Sequence, residues 1–534
     1  MLFNSLGFIF VFLPLTLLAY HLLCRASRPD WAILALITAS LTFYGWWEPR
    51  YLLLITASVL WNYGVGQALM RTPRNLVRRR QWLLAAGITM NLGCIAWFKY
   101  AGFFVASANT ILGSEIHLHH IVLPLAISFF TFQQIAYLVD TYRDSEGERS
   151  FSRYALFVTF FPQLIAGPIV HHKDMLPQFA AHTGLKLQNL ILGSTLFFIG
   201  LFKKVIVADG VAPYSDTVFG LAATGVELSF LEAWTGALAY SLQLYFDFSG
   251  YSDMAIGLGC LFGIRLPLNF NSPYKACSII DFWRRWHMTL SRFLKDYLYI
   301  PLGGSQRGPT RTYVNLMIVM LLGGLWHGAG WTFVIWGGIH GLYLLINHAW
   351  RRWGWSLEGF VGRVFAQSLT LLAVVVAWVV FRAESMESAG RVLAGMAGFN
   401  GVAVPIEWST KSASVVALLT NAGIEFKTLT NMGPLFTPLR DVAVLSGAQI
   451  QVDSVGTVTA LLSLSVPIFF ALFWPNTQQW MHRYEPALTQ TAPNLLSRWL
   501  AWRVNPAFAI VSAVVAAYAC FGGTGASQFL YFQF

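Results

Sequence analysis

Charge is scarce in this chain. Only 11% of its 534 residues are Asp, Glu, Lys or Arg, against about 25% in ordinary soluble domains. With 56% hydrophobic residues and a mean hydropathy of +0.56, a water-soluble fold of this length is excluded, because surface shrinks too slowly with size to hide so much apolar area. Cysteine is scarce as well: the five (Cys24, Cys94, Cys260, Cys277 and Cys520) lie in or beside apolar stretches without CxxC spacing, which argues against a disulfide framework or a zinc site and for small buried hydrophobes. There is no GxSxG elbow, no phosphate-binding GxxxxGK[ST] loop, no repeat of 20–50 residues and no low-complexity tract. The opening MLFNSLGFIFVFLPLTLLAYHLL has neither a basic n-region nor a small-residue cleavage site, and reads as a retained first span rather than a secretory signal.

What is there is apolar and helical in period. The expected fold class is all-α: a polytopic integral membrane protein with roughly 11 to 13 helices, some short or re-entrant around a central cavity. Candidate spans are 2–23, 31–47, 51–70, 81–98, 119–139, 151–170, 188–208, 228–248, 250–263, 313–346 as a pair or re-entrant hairpin, 365–381, 457–474 and 506–522, with weaker segments near 385–398 and 412–422. The charge that does occur is basic, 35 Lys and Arg against 24 Asp and Glu, net +11. In a membrane protein this excess gathers in cytoplasmic loops facing anionic headgroups, so the expected partner is the bilayer and not nucleic acid. The linkers 24–30 and 71–80 are basic and 101–118 has no Lys or Arg, which places the amino terminus outside and the basic stretches 264–312 and 351–363 inside. Two crossings must then fit in 313–346, and a hairpin of short or broken helices, drawn together by glycines, would satisfy this. The whole chain, 1–534, reads as one membrane domain with a mostly outer loop at 399–455.

Two stretches could carry chemistry. The first is LLGGLWHGAGW, 321–331, which sets His327 among glycines in a very apolar segment. A lone buried histidine is usually satisfied by a carbonyl or hydroxyl, but ionisable groups at membrane depth tend to face interiors or pathways. A dry site would favour the neutral ring and leave it able to accept a proton. A cavity should then lead to His327 from one compartment or the other. The second stretch, 279–305, packs Arg284, Arg285, His287, Ser291, Arg292 and Lys295 among Trp283, Trp286 and other aromatics. On a helix His287 and Ser291, and Ser291 and Lys295, are i, i+4 neighbours. The block suits either a helix lying at the membrane interface or a vestibule holding the phosphates of a donor such as coenzyme A.

Other polar residues have blander readings. Asp247 and Asp253 could orient a histidine or pair with an arginine, pairing being the expected role. Lys203 and Lys204 should snorkel at a span end. His340, 13 residues beyond His327, would lie about 140° away on an unbroken helix and is expected to be a packing residue. The histidines at 117–120 and 171–172 lack a Cys or carboxylate set at ligand spacing, so no metal is expected.

The block FWRRWHMTLSRFLKDYLYIPLGG followed by LLGGLWHGAGW resembles the membrane-bound O-acyltransferase family, in particular its alginate O-acetyltransferase branch. The similarity extends through 127–143, 157–170, 242–259 and the terminal FLYFQF, and leaves out 399–455. It implies an enzyme of the bacterial inner membrane. The donor would be a cytoplasmic acyl thioester, acetyl-CoA or an acyl carrier, with no bound cofactor. The acyl group would cross the membrane to a periplasmic acetyltransferase partner that esterifies a polysaccharide. His327 would be the family's invariant histidine and His287 the second. Alternative acceptors are peptidoglycan, cellulose or another glycan, or D-alanyl transfer to teichoic acid. The rival of another class is a proton-coupled transporter with the intramembrane His and Asp as its path.

Overall fold

The computed structural model describes residues 1–119, 121–181, 186–354, 358–405, 425–427, 454–522 and 527–530. These are helical throughout, apart from connecting segments and a parallel pair of three-residue strands, Ala403–Pro405 with Glu425–Lys427. Among the described residues, five helical segments are long and apolar enough to cross a membrane: Phe8–Arg25, Tyr51–Arg71, Val77–Leu112, Leu187–Ala223 and Gly359–Arg382. The all-α, multi-pass class expected from composition therefore holds. Most of 399–455 lies outside the described residues, as do the weak segment 412–422 and His120.

The helix Phe230–Leu261 runs through the core. Its start is fixed by a capping box in which the Ser229 N–H donates to the Glu232 carboxylate at 2.8 Å. It is one continuous helix of 32 residues, about 48 Å long, where sequence alone suggested two spans meeting at Ser249–Gly250. A glycine does not break a helix that packing supports on every side, and this one is buried along nearly its whole length. Leu187–Phe202 crosses it through glycines: a Cβ at Gly200 would stand 2.5 Å from the Gly250 carbonyl oxygen, and one at Gly193 2.6 Å from that of Gly257. Small residues at seven-residue spacing on both helices thus bring the backbones into contact.

The expected span 151–170 is not a helix across the membrane. It breaks after Phe151–Thr159, makes one turn at Phe161–Leu164 and continues as irregular buried chain to His171. Pro162 has no N–H to continue a helix, and the freed groups find partners inside the protein: the Gln163 amide donates to the Phe157 carbonyl at 2.8 Å, and the Ile169 N–H to the Thr289 hydroxyl at 3.0 Å. Irregular backbone is tolerated at this depth only when protein surrounds it. The helix expected at 119–139 starts later and runs Ile127–Asp144.

The segment 313–346 does form a hairpin, but of full-length helices, Gly308–His327 and Trp331–Arg352, joined by Gly328–Gly330. At 20 and 22 residues each is about 30 Å long, so neither is short or broken. They touch at Gly324 and Gly337, where added Cβ atoms would come within 2.2 Å of the carbonyl oxygens of Phe333 and Met320.

Candidate active site

His327 is the last residue of the first hairpin helix, and two side chains from Val77–Leu112 hold that end. The Lys99 ammonium donates to the carbonyls of Trp326 at 2.6 Å and His327 at 3.2 Å, and the Tyr100 hydroxyl to that of Leu325 at 2.9 Å. A cation on the terminal carbonyls satisfies acceptors that have no helical partner and suits the negative end of the helix dipole. Sequence reading passed over Lys99; the signal was a lone lysine inside an otherwise apolar span.

The basic block is not one helix. Ile279–Trp283 and Met288–Leu294 are separate short helices, and Lys295–Tyr299 is a π-helical turn. Between them His287 adopts a left-handed backbone, φ 43° and ψ 53°, which costs a β-carbon-bearing residue about 1–2 kcal/mol. The expected i, i+4 relation of His287 to Ser291 therefore holds only for the backbone: Ser291 N–H donates to the His287 carbonyl at 3.0 Å, while its hydroxyl turns to the Trp286 carbonyl at 3.5 Å. The kink buries the histidine and leaves charged groups at the surface on both sides of it. His287 is fully buried. Arg284, Arg292 and Lys295 are exposed, with Arg292 paired to Asp174 at 3.1 Å and Lys295 to Asp296 at 3.8 Å. Arg285 is half-buried against Asp281 at 2.9 Å.

The tryptophans turn inward. Trp286 lies between Phe270 and Trp378, at centroid distances of 5.0 and 4.9 Å, and Trp283 stands against Trp336 and His340, at 6.0 and 5.2 Å.

The fold brings the two histidines together. Their ring centroids are 6.3 Å apart at 60°, in a chamber of aromatic rings. Phe248 meets His287 at 4.8 Å, Trp336 and Phe381 meet His327 at 5.2 and 5.4 Å, and Trp326 touches both. His287 also bonds through Nδ1 to Asn269 Oδ1 at 3.0 Å.

His327 is buried, 5% exposed, and neither histidine lines the cavity beside them. That cavity, about 80 Å³, lies against Lys99, Ser128 and Trp326. A larger one of about 600 Å³ lies elsewhere, between Lys203, Tyr245, Trp474 and Thr477.

Asp247 and Asp253 do not join the histidines, and their partners are lysines rather than arginine. Asp247 pairs with Lys204 at 2.6 Å and accepts the Leu530 N–H at 3.1 Å; Asp253 pairs with Lys203 at 2.6 Å and accepts the Thr477 hydroxyl at 2.7 Å. Lys204, 2% exposed, does not snorkel. It also reaches Asp209 at 2.8 Å and the Gln528 carbonyl at 2.9 Å, because mutual pairing lets opposite charges stay inside the bundle. His340 is buried and stacked on Phe282 at 6.0 Å. Asp140 accepts the Tyr297 hydroxyl at 2.7 Å, beside His171 and His172. Burial pushes the His172 imidazole down to about 4.

A polytopic helical bundle with paired histidines in a dry aromatic chamber and a basic face nearby has the makings of a membrane acyltransferase. The model of the membrane-bound O-acyltransferase family matches residues 83–355, and the chain belongs to that family and is an acyltransferase. Among its relatives, the peptidoglycan O-acetyltransferase of Helicobacter pylori is 44% identical over 507 residues, 88% of this chain and 95% of the relative. The probable alginate O-acetylase of Azotobacter vinelandii is 44% identical over 406 residues, 75% of this chain and 78% of the relative. The teichoic acid D-alanyltransferase of Bacillus subtilis is 26% identical over 269 residues, 48% and 66% of the two chains.

Proposed function

We propose that this protein takes an acetyl group from a cytoplasmic thioester, acetyl-CoA or an acyl carrier, and passes it across the bacterial inner membrane for O-acetylation of an extracytoplasmic polysaccharide. The observation that carries this reading is the juxtaposition of His287 and His327 at 6.3 Å inside the bundle. His327 takes the proton of the acceptor hydroxyl as that oxygen attacks the thioester carbonyl. The C–S bond breaks, the ester C–O bond forms, and the thiolate leaves to be protonated. The less favoured route has His327 carry the acyl group itself. His287 assists proton transfer or places the donor. Arg284, Arg285, Arg292 and Lys295 offer charge for donor phosphates, with Trp283, Trp286 and Ser291 behind them. A periplasmic acetyltransferase partner receives the group.

The acceptor has two readings of the same chemistry. Alginate suits the similarity to the alginate O-acetylases. Peptidoglycan is supported by a relative that aligns over 507 residues instead of 406.

The test is purified protein with radiolabelled acetyl-CoA, with and without candidate partners and glycans. Label should move to a glycan in the complete mixture. Label that stays in the donor under every condition, in a well-folded sample, sinks the reading.

A further inference from the structure

The mechanism leaves open what fixes the proton on His287, and the surroundings of Asn269 answer it. Asn269 is fully buried in the segment between Phe230–Leu261 and the basic block. Its Oδ1 meets three groups: His287 Nδ1 at 3.0 Å, the Thr289 hydroxyl at 2.9 Å and the Thr289 backbone N–H at 3.4 Å. A backbone N–H can only donate, so the atom facing it must be the amide oxygen. The Thr289 hydroxyl already accepts the Ile169 N–H at 3.0 Å, which leaves its own proton to point at Asn269. An oxygen is an acceptor only, so His287 Nδ1 carries the hydrogen and its Nε2 carries the lone pair. The Asn269 carbonyl accepts the Met288 N–H at 2.9 Å, so the same residue also supports the left-handed backbone of His287. Strain of this kind persists where surrounding bonds over-determine it.

We propose that Asn269 is a positioning residue that, backed by Thr289, locks His287 in the Nδ1–H tautomer and so makes Nε2 the nitrogen that accepts a proton during acyl transfer. The assignment rests on the proposed role of His287 in proton transfer, and the experiment separates the two. Full-length protein labelled with ¹⁵N-histidine in lipid nanodiscs reports the tautomer by solid-state NMR, His287 being assigned by its loss in H287Q. Free thiol released from acetyl-CoA by the same samples, supplied with the candidate partners and glycans as acceptors, reports activity, with H327A as the blank.

The wild-type His287 signal should be that of a protonated Nδ1, and Asn269→Leu should replace it by a mixture of tautomers. Thiol release by N269L should fall about 100-fold, the scale of a lost general acid–base group. Asn269→Asp still accepts from both donors, so it should keep the tautomer and most of the rate. Its added negative charge should move the acid limb of the pH–rate profile to higher pH. Thr289→Val should lower the rate less than N269L. If N269L does not fold, N269D and T289V decide: unchanged profiles and rates in both overturn the proposal, as does an unprotonated Nδ1 in the wild type. A tautomer that depends on Asn269 in a protein releasing no more thiol than H327A upholds Asn269 and overturns the acyl-transfer reading instead.

Discussion

His287 and His327 reach the same chamber from opposite structural situations: one is itself the left-handed residue between two short helices, the other ends a 20-residue helix, and their rings lie 6.3 Å apart. Residues that act as a unit lose their effect together. His327→Ala should lower acyl transfer by about 10³-fold or more, and His287→Ala by a comparable factor. The double variant should be no more than about tenfold worse than either single one. Transfer rates of the four proteins, at matched membrane insertion, check this. Multiplied losses would mean that the rings serve independent steps.

Lys99 secures the helix end that carries His327, through bonds of 2.6 and 3.2 Å to two carbonyls. Lys99→Met keeps much of the stem's apolar packing and removes both bonds. Leaving buried acceptors unmet costs about 1–3 kcal/mol, and a shift of the ring by about 1 Å can cost about 100-fold in rate. Thermal unfolding in detergent and the transfer rate should both fall. Wild-type values for both would show that the lysine is dispensable.

His340 is buried against Phe282, Trp283 and Trp336, and among the described residues neither of its ring nitrogens has a hydrogen-bond partner. His340→Phe preserves the stack and removes two unmet polar atoms. Stability should change by less than about 1.5 kcal/mol and the rate by only a few fold. A loss comparable with that of H327A would give this ring a chemical task.

His172 titrates lower in the folded protein, about 4 against an ordinary 6.5, because burial disfavours its charged form. The unfolded chain therefore takes up this proton first, and the associated stability is lost as pH falls from about 6.5 to about 4. The loss at this one site is at most on the order of 3 kcal/mol. Melting curves of detergent-solubilised His172→Gln across this range should fall less steeply with acid than those of the wild type. Parallel slopes would locate the acid sensitivity elsewhere.

Much of the architecture was legible from hydropathy because bilayer thickness dictates helix length. Tyr51–Arg71 and Gly359–Arg382 lie close to the expected spans for that reason. The hairpin was legible too, since charge sidedness demanded two crossings and the glycines there allowed close approach, although which pair, Gly324 and Gly337, would meet was not. What escaped depends on tertiary packing. Nothing in a local pattern says that Gly250 would sit against Gly200 and leave the 32-residue helix unbroken, or that the chain around Pro162 would be buried within protein instead of spanning lipid. At the site, the two histidines stood out as ionisable groups near apolar surroundings. Asn269 and Lys99 did not, because an asparagine 18 positions from His287 and a lysine 228 positions from His327 become neighbours only in three dimensions.

The polar cluster around Lys204 also ties distant parts of the sequence together. It gathers Asp209, Asp247 and the Gln528 carbonyl, while the Asn4 amide donates to the Ser527 carbonyl at 2.9 Å. During biosynthesis the early helices leave the ribosome long before residue 527 exists, so these groups must wait in the bilayer with part of their hydrogen bonding unmet. Arrival of the closing segment then adds the Gln528 carbonyl to Lys204 and the Leu530 N–H to Asp247, and chains stalled short of it would keep the ion pairs but lack these last bonds.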